Sequence, residues 1–159
     1  MAGLVAGEVS LSLRVDGYQH GTADNDFDAN WLTLSVDVTS NERSWSASAP
    51  ALSTWEAREL VLWLRSVALG TDEGRGFSGL EGMLQFEAID LDGAPMLTAV
   101  FWRGLAPETV KDAEVPVSFA VPPEQIARFA DELLAEVEPF PIRAVEPDGY
   151  ASKLLAEGG

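Results

Sequence analysis

The sequence has no cysteine, and histidine occurs only once, at His20, among its 159 residues. Without cysteine the chain cannot form a disulfide, a thiolate zinc site or an iron–sulfur cluster, and it has no thiol nucleophile. A single histidine also excludes the sites in which several imidazoles bind one metal ion. We therefore predict a protein without a bound metal or other cofactor.

Basic residues are scarce as well. Ten Lys plus Arg stand against 26 Asp plus Glu, which gives a formal net charge of −16 at pH 7 and a pI of about 4.2. Nucleic acids and anionic membranes attract positive charge, so both are disfavoured as partners of this chain. A basic protein is the partner that the composition favours.

Long hydrophobic runs are missing too. The longest, from Met96 to Trp102, falls far short of the roughly 20 residues that span a bilayer. The N-terminus lacks the basic start and the apolar stretch of a secretory signal. Since 47% of the residues are apolar, the chain can still bury one sizeable core. We expect a cytoplasmic protein with a single domain over 1–143 and a polar C-terminal tail over 144–159.

Polar and apolar residues alternate in three segments of the first third of the chain. The segments 8–16, 31–39 and 44–49 each place every second residue on an apolar face, as in a strand with one buried side. The polar connection 40–43 predicts a hairpin between the second and third segments. The polar segment 17–29 predicts a loop. Together they predict a three-stranded antiparallel meander.

Two amphipathic helices are predicted further along. Ser53 and Glu56 have the spacing of a capping box, and apolar residues then recur at helical spacing until Gly70, which predicts a helix over 54–69. A second apolar stripe begins after two prolines and predicts a helix over 123–138. The two stripes consist of Leu60, Val61, Leu64 and Val67, and of Ile126, Phe129, Leu133 and Leu134.

Three more strands are predicted between the helices, over 80–88, 95–103 and 115–121. Asp92-Gly93 is typical of a tight hairpin turn between the first two. The resulting order is βββα-βββα. It predicts an α+β fold with an antiparallel, strongly curled β-sheet of about six strands and two helices on one face.

The polar segment 17–29 holds the residues that come nearest to a catalytic or metal site. They are His20, Asp24, Asp26 and Asp28. A histidine beside carboxylates could serve a hydrolase as a general base, and alternating aspartates occur in calcium loops. The calcium pattern breaks at Ala29 and Ser35, where a glycine and a glutamate belong. Because a polar surface loop accounts for all four residues, we predict no catalytic residue and no metal site.

Trp31 differs from the other four tryptophans. It lies in phase with the polar side of its predicted strand, opposite Leu32 and Leu34, and it follows the acidic loop directly. An aromatic side chain surrounded by charge is typical of a protein–protein hot spot. We therefore predict a partner-binding surface, with two glutamates as flanking charges on the sheet face that the helices leave uncovered. Its residues are Asp24, Asp26, Asp28, Trp31, Glu81 and Glu87.

Five segments occur in an order and at spacings that are familiar. They are Gly17-Tyr18-Gln19; Asp28-Ala29-Asn30-Trp31-Leu32; Leu52-Ser53-Thr54-Trp55-Glu56 with Trp63-Leu64; the strand from Leu80-Glu81 to Phe86-Glu87; and Phe140-Pro141-Ile142-Arg143. This succession resembles the WapI-type immunity protein family of bacteria over residues 15–143. The sequence departs from the family's pattern at His20, where an aromatic or apolar residue is expected, and in its long acidic tail.

The resemblance implies a small cytoplasmic antitoxin that binds and neutralises the toxic C-terminal domain of a polymorphic or contact-dependent toxin. It implies no catalytic residues in this chain. The acidic composition fits a basic, nuclease-type toxin, because an acidic inhibitor can occupy a phosphate-binding site. Acidity is also a common solubility trait. Two alternatives remain: a homodimeric structural protein that pairs through the aromatic second face of its sheet, and a hydrolase that uses the His20 loop.

Overall fold

The computed structural model describes residues 1–21, 25–71, 76–110 and 112–143. Within these residues the chain forms eight strands, two long α-helices, one short α-helix and two single-turn 3₁₀ helices, Arg103–Leu105 and Glu108–Val110. The strands are β1 (Ala2–Ala6), β2 (Val9–Tyr18), β3 (Trp31–Thr39), β4 (Ser44–Ser53), β5 (Phe77–Ser78), β6 (Leu84–Leu91), β7 (Ala94–Phe101) and β8 (Val115–Ala120). The helices are α1 (Asp26–Ala29), α2 (Thr54–Leu69) and α3 (Pro123–Val137). The predicted tail over 144–159 lies outside the described residues.

The strands form two antiparallel sheets of four. The N-terminal sheet has the order β1-β2-β3-β4 and the C-terminal sheet the order β5-β6-β7-β8. The predicted α+β antiparallel class is therefore confirmed, but the prediction of one sheet with about six strands was wrong. Sequence periodicity missed β1, whose five residues are all apolar or glycine, and β5, which has only two residues.

Most element bounds agree with the periodic patterns. The predicted strand 31–39 and the helix 54–69 are confirmed, and the second helix ends at Val137, one residue before the predicted end. The strand predicted over 80–88 instead begins at Leu84 and continues to Leu91, because the preceding residues turn at Gly82, whose φ is +72°. The segment 17–29 is not a simple loop, since it contains the end of β2 and the whole of α1.

Both sheets and both long helices share one hydrophobic core. Phe86 of β6 packs against Trp63 of α2 and Phe129 of α3, with ring centroids 6.2 and 6.3 Å apart. The predicted helical stripes face this core, and all of their residues are buried except Leu134, which is partly buried. Each sheet therefore turns one face inward and leaves its other face as an outer surface.

Side chains of α3 occupy the free edge of β1. The amide of Gly3 donates to Glu132 Oε1 over 3.1 Å, and the amide of Val5 donates to Gln125 Oε1 over 2.8 Å. An edge strand with free amides can pair with a strand of another chain. Because α3 satisfies these donors, the outer faces are better candidates than this edge for contact with a partner.

Candidate functional site

The structure separates the acidic residues that the sequence groups in one loop. Asp28 is exposed, whereas Asp26 is only 2% exposed, and Asp24 lies outside the described residues. Both described aspartates belong to α1, where residues two apart point about 200° away from each other. The expectation of a loop that displays all these carboxylates was therefore wrong for Asp26, which lies in the interior.

Trp31 and the turn that carries Glu81 are each connected to the start of α2. Trp31 at the start of β3 is half-buried and pairs with Ser53. The amide of Ser53 donates to Oε1 of the buried Glu56 over 2.9 Å, and the amide of Glu56 donates to the Ser53 hydroxyl oxygen over 3.2 Å, so the predicted capping box is present. The other carboxylate oxygen of Glu56 accepts from the amide of Leu80. These contacts hold the turn that carries the exposed Glu81 against the start of α2, which directly follows the strand partner of Trp31.

Glu87 belongs to another surface. It is exposed in β6 and lies opposite Thr98 in the C-terminal sheet, whereas Trp31 begins a strand of the N-terminal sheet. The predicted partner-binding residues are therefore divided between the two sheets.

Asn30 forms a buried hydrogen-bond centre that sequence reasoning did not identify. Its Nδ2 donates to the carbonyl oxygens of Asp26 and Arg143, both over 2.7 Å. Its Oδ1 accepts from the amide of Arg143 and the hydroxyl of Thr54, both over 2.8 Å. One fully buried side chain thus connects α1, the start of α2 and the segment 140–143.

The segment 140–143 is also held by aromatic contacts. The Arg143 guanidinium stacks 3.6 Å from the centroid of the Tyr18 ring and donates to the carbonyl oxygens of His20 and Ala29. Phe140 meets the same ring edge-on at 5.5 Å. The hydroxyl of Tyr18 donates to the carbonyl of Pro141, and burial raises the pKa of this hydroxyl.

Four of the five segments that carry the family resemblance therefore meet in space. They are 17–19, 28–32, 52–56 and 140–143, and they surround Asn30. Their side chains are used to join elements of the fold. The resemblance thus marks a structural framework, and a partner must be recognised by the side chains that this framework leaves at the surface.

The outer face of the N-terminal sheet is polar and rich in hydroxyl groups. Asp16 accepts from the Ser35 hydroxyl, from Arg14 Nε over 2.8 Å and from the Ser48 hydroxyl over 3.5 Å. Although burial opposes the effect, these hydrogen bonds from Ser35, Arg14 and Ser48 lower the pKa of Asp16. The carboxylate is therefore ionised and fixed in place on this face.

The sequence also offered His20 as a candidate general base and the nearby aspartates as candidate metal ligands. His20 is exposed, and it is its backbone carbonyl that contacts Arg143. Among the described residues, no group of three or more His, Cys, Asp or Glu could hold a metal ion.

A cleft of about 480 Å³ opens between the hairpin 40–43 and β8, and the charged side chains described along it are Glu42, Arg43 and Glu114. None of the helices within the described ranges is long and apolar enough to cross a membrane.

Comparison with known proteins identifies the family. A model of the immunity protein WapI-like family matches residues 5–141 of the 159-residue chain, which include the end of β1, the other seven strands, both long helices and Asn30. No curated protein and no solved structure matches the chain. The resemblance read from five short segments is thereby confirmed, and the chain belongs to the immunity protein WapI-like family.

Proposed function

We propose that this chain is a non-enzymatic immunity protein that binds and neutralises a toxin domain in the cytoplasm of the cell that produces both. The family match over residues 5–141 carries the proposal. The geometry supports it, because the segments typical of the family are used to hold the fold together around Asn30. The two outer sheet faces then remain for recognition of a partner.

We further propose that the toxin domain is basic, as a nuclease domain is. The net charge of −16 gives the protein a long-range attraction for such a partner. Electrostatic attraction of this kind raises the association rate and makes it depend on salt concentration.

Co-expression tests the proposed function. The probe is the toxin domain encoded beside the gene of this chain, expressed in a sensitive host with and without the immunity protein. We expect the toxin domain alone to stop growth and the pair to grow and to co-purify as a complex. Growth arrest in the presence of well-expressed immunity protein, with no co-purification, would contradict the proposal.

One proposed contact surface is the end of the molecule that carries Trp31, with Asp28 and Glu81 as flanking charges. Trp31→Ala should weaken toxin binding by about 2 kcal/mol or more, roughly 30-fold in Kd, because buried aromatic anchors dominate protein interfaces. Titration of the purified toxin domain measures the change, and an unchanged melting temperature shows that the variant is folded.

The flanking charges give an internal control for that experiment. Asp28→Asn with Glu81→Gln should mainly slow association and reduce its salt dependence, since exposed charges are screened beyond a Debye length of about 10 Å at 0.1 M salt. Unchanged kinetics in both the Trp31 and the carboxylate variants would remove this end of the molecule from the interface.

A further inference from the structure

The outer face of the C-terminal sheet carries an aliphatic surface patch. Ile89 lies opposite Met96, and Met96 lies opposite Ala120 on the next strand. Leu91 lies two residues further along β6, on the same face. We call these four residues the hairpin patch. Its two residues in β6, Ile89 and Leu91, are 59% and 49% exposed.

The patch is not a general property of the sheets of this protein. The equivalent face of the N-terminal sheet is lined by hydroxyl groups and by the hydrogen-bonded Asp16. Contiguous exposed apolar surface is uncommon on soluble monomers and often marks an interaction site. A cavity of about 170 Å³ lies on the other side of the hairpin, toward the end of α2, and is lined by Val67, Ala68, Ala88, Asp90 and Pro95 among others. A partner on the outer face therefore meets the aliphatic patch and not this recess.

Acidic residues border the patch. Glu87 lies two residues before Ile89 on the same strand face, and Asp92 is exposed in the hairpin turn. Asp90 lies on the opposite face of the strand, where its carboxylate accepts from the amide of Gly93 over 2.9 Å. No lysine or arginine occurs between Leu84 and Phe101. An aliphatic centre with an acidic border is complementary to a surface with apolar anchors and a basic border. A second copy of this chain would bring the same negative border and be repelled.

We infer that the hairpin patch is a docking surface for the toxin domain, which packs apolar side chains on Ile89 and Leu91 and places basic residues near Glu87 and Asp92. The inference rests on the proposed function. It adds a surface on the C-terminal sheet to the one proposed around Trp31. Sequence reasoning had assigned Glu87 to partner binding, and the structure supplies the aliphatic neighbours of that residue.

The test replaces the exposed aliphatic side chains without disturbing the strand. In Ile89→Thr/Leu91→Thr the new residues suit a β-strand but lack most of the apolar surface. The toxin domain is released from its complex with the wild-type protein by denaturant, refolded and titrated with each variant. We expect the double variant to bind at least about tenfold more weakly, with the single variant Leu91→Thr in between.

Leu62→Gln is the matched control. Leu62 is 63% exposed, close to the value for Ile89, but it lies in α2 and not on an outer sheet face. The Kd of this control variant for the toxin domain should stay within about twofold of the wild-type value, as expected for a surface residue outside the interface. Melting temperatures establish that all variants are folded, and Leu91→Thr alone carries the test if the double variant is unstable.

The possible results separate this inference from the proposed function. If the wild type binds and neutralises the toxin while the patch variants bind equally well, the docking surface is overturned and the immunity function stands. If the wild type does not bind at all, both fall. If light scattering shows a wild-type dimer that the double variant abolishes, the patch is the contact between two copies and the toxin-docking inference is overturned.

Discussion

Leu64→Ala should lower the free energy of unfolding by about 2–5 kcal/mol, because truncation of a buried leucine loses apolar contacts and leaves a cavity. Leu64 is 0% exposed in α2 and belongs to the core shared by both sheets and both long helices. Urea denaturation followed by far-UV circular dichroism measures the change.

The same helix provides the control. Leu62 lies two residues away and is 63% exposed. Leu62→Ala should change the free energy of unfolding by less than about 0.5 kcal/mol, since surface substitutions of this kind have small effects. Similar losses for the two variants would mean that α2 does not present the Leu64 face to the core.

Asn30→Ala should cost about 3 kcal/mol or more, although Asn30 is a single polar residue. Its removal leaves two carbonyl oxygens, one amide and the hydroxyl of Thr54 without their hydrogen-bond partner, and an unsatisfied buried group costs about 1–3 kcal/mol. Hydrogen-exchange measurements should then show faster exchange at the amide of Arg143, because in the wild type this amide donates to Oδ1 of Asn30.

Asn25 is the matched asparagine for that experiment. It caps the short helix α1, where its Oδ1 accepts from the amide of Asp28 over 2.9 Å and its Nδ2 donates to the Asp28 carboxylate over 3.1 Å. Asn25→Ala should cost about 1 kcal/mol, the usual value for a lost cap, and leave the exchange of Arg143 unchanged. A loss below about 1 kcal/mol for Asn30→Ala, or equal losses at both positions, would contradict the role of Asn30 in joining α1, α2 and the segment 140–143.

Local periodicity predicted much of the fold but not the way in which the strands are arranged. The strand 31–39 and the two long helices follow from the spacing of their apolar residues. A strand's period shows which side is buried, but not which strand it pairs with. Periodicity therefore did not predict the division into two four-stranded sheets. It also did not predict the edge strand β1, whose residues are all apolar or glycine.

The candidate site was less predictable, because its important features depend on tertiary contacts. Asn30 is one polar residue without a repeat, and only the folded chain brings Thr54 and Arg143 to it. The exposed Ile89 and Leu91 were missed because the strand predicted over 80–88 ends before them. The burial of Asp26 follows from α1, which is too short to give a periodic signal.

Stoichiometric titration of the toxin domain tests the central claim most directly. A non-enzymatic immunity protein neutralises by occupying its partner, so toxin activity should fall linearly and vanish near one equivalent of this chain. Active, chemically unchanged toxin should be recovered when the complex is dissociated by denaturant. Complete neutralisation far below one equivalent, with toxin that stays inactive after separation, would instead reveal a catalyst, and undiminished activity at excess would contradict toxin binding altogether.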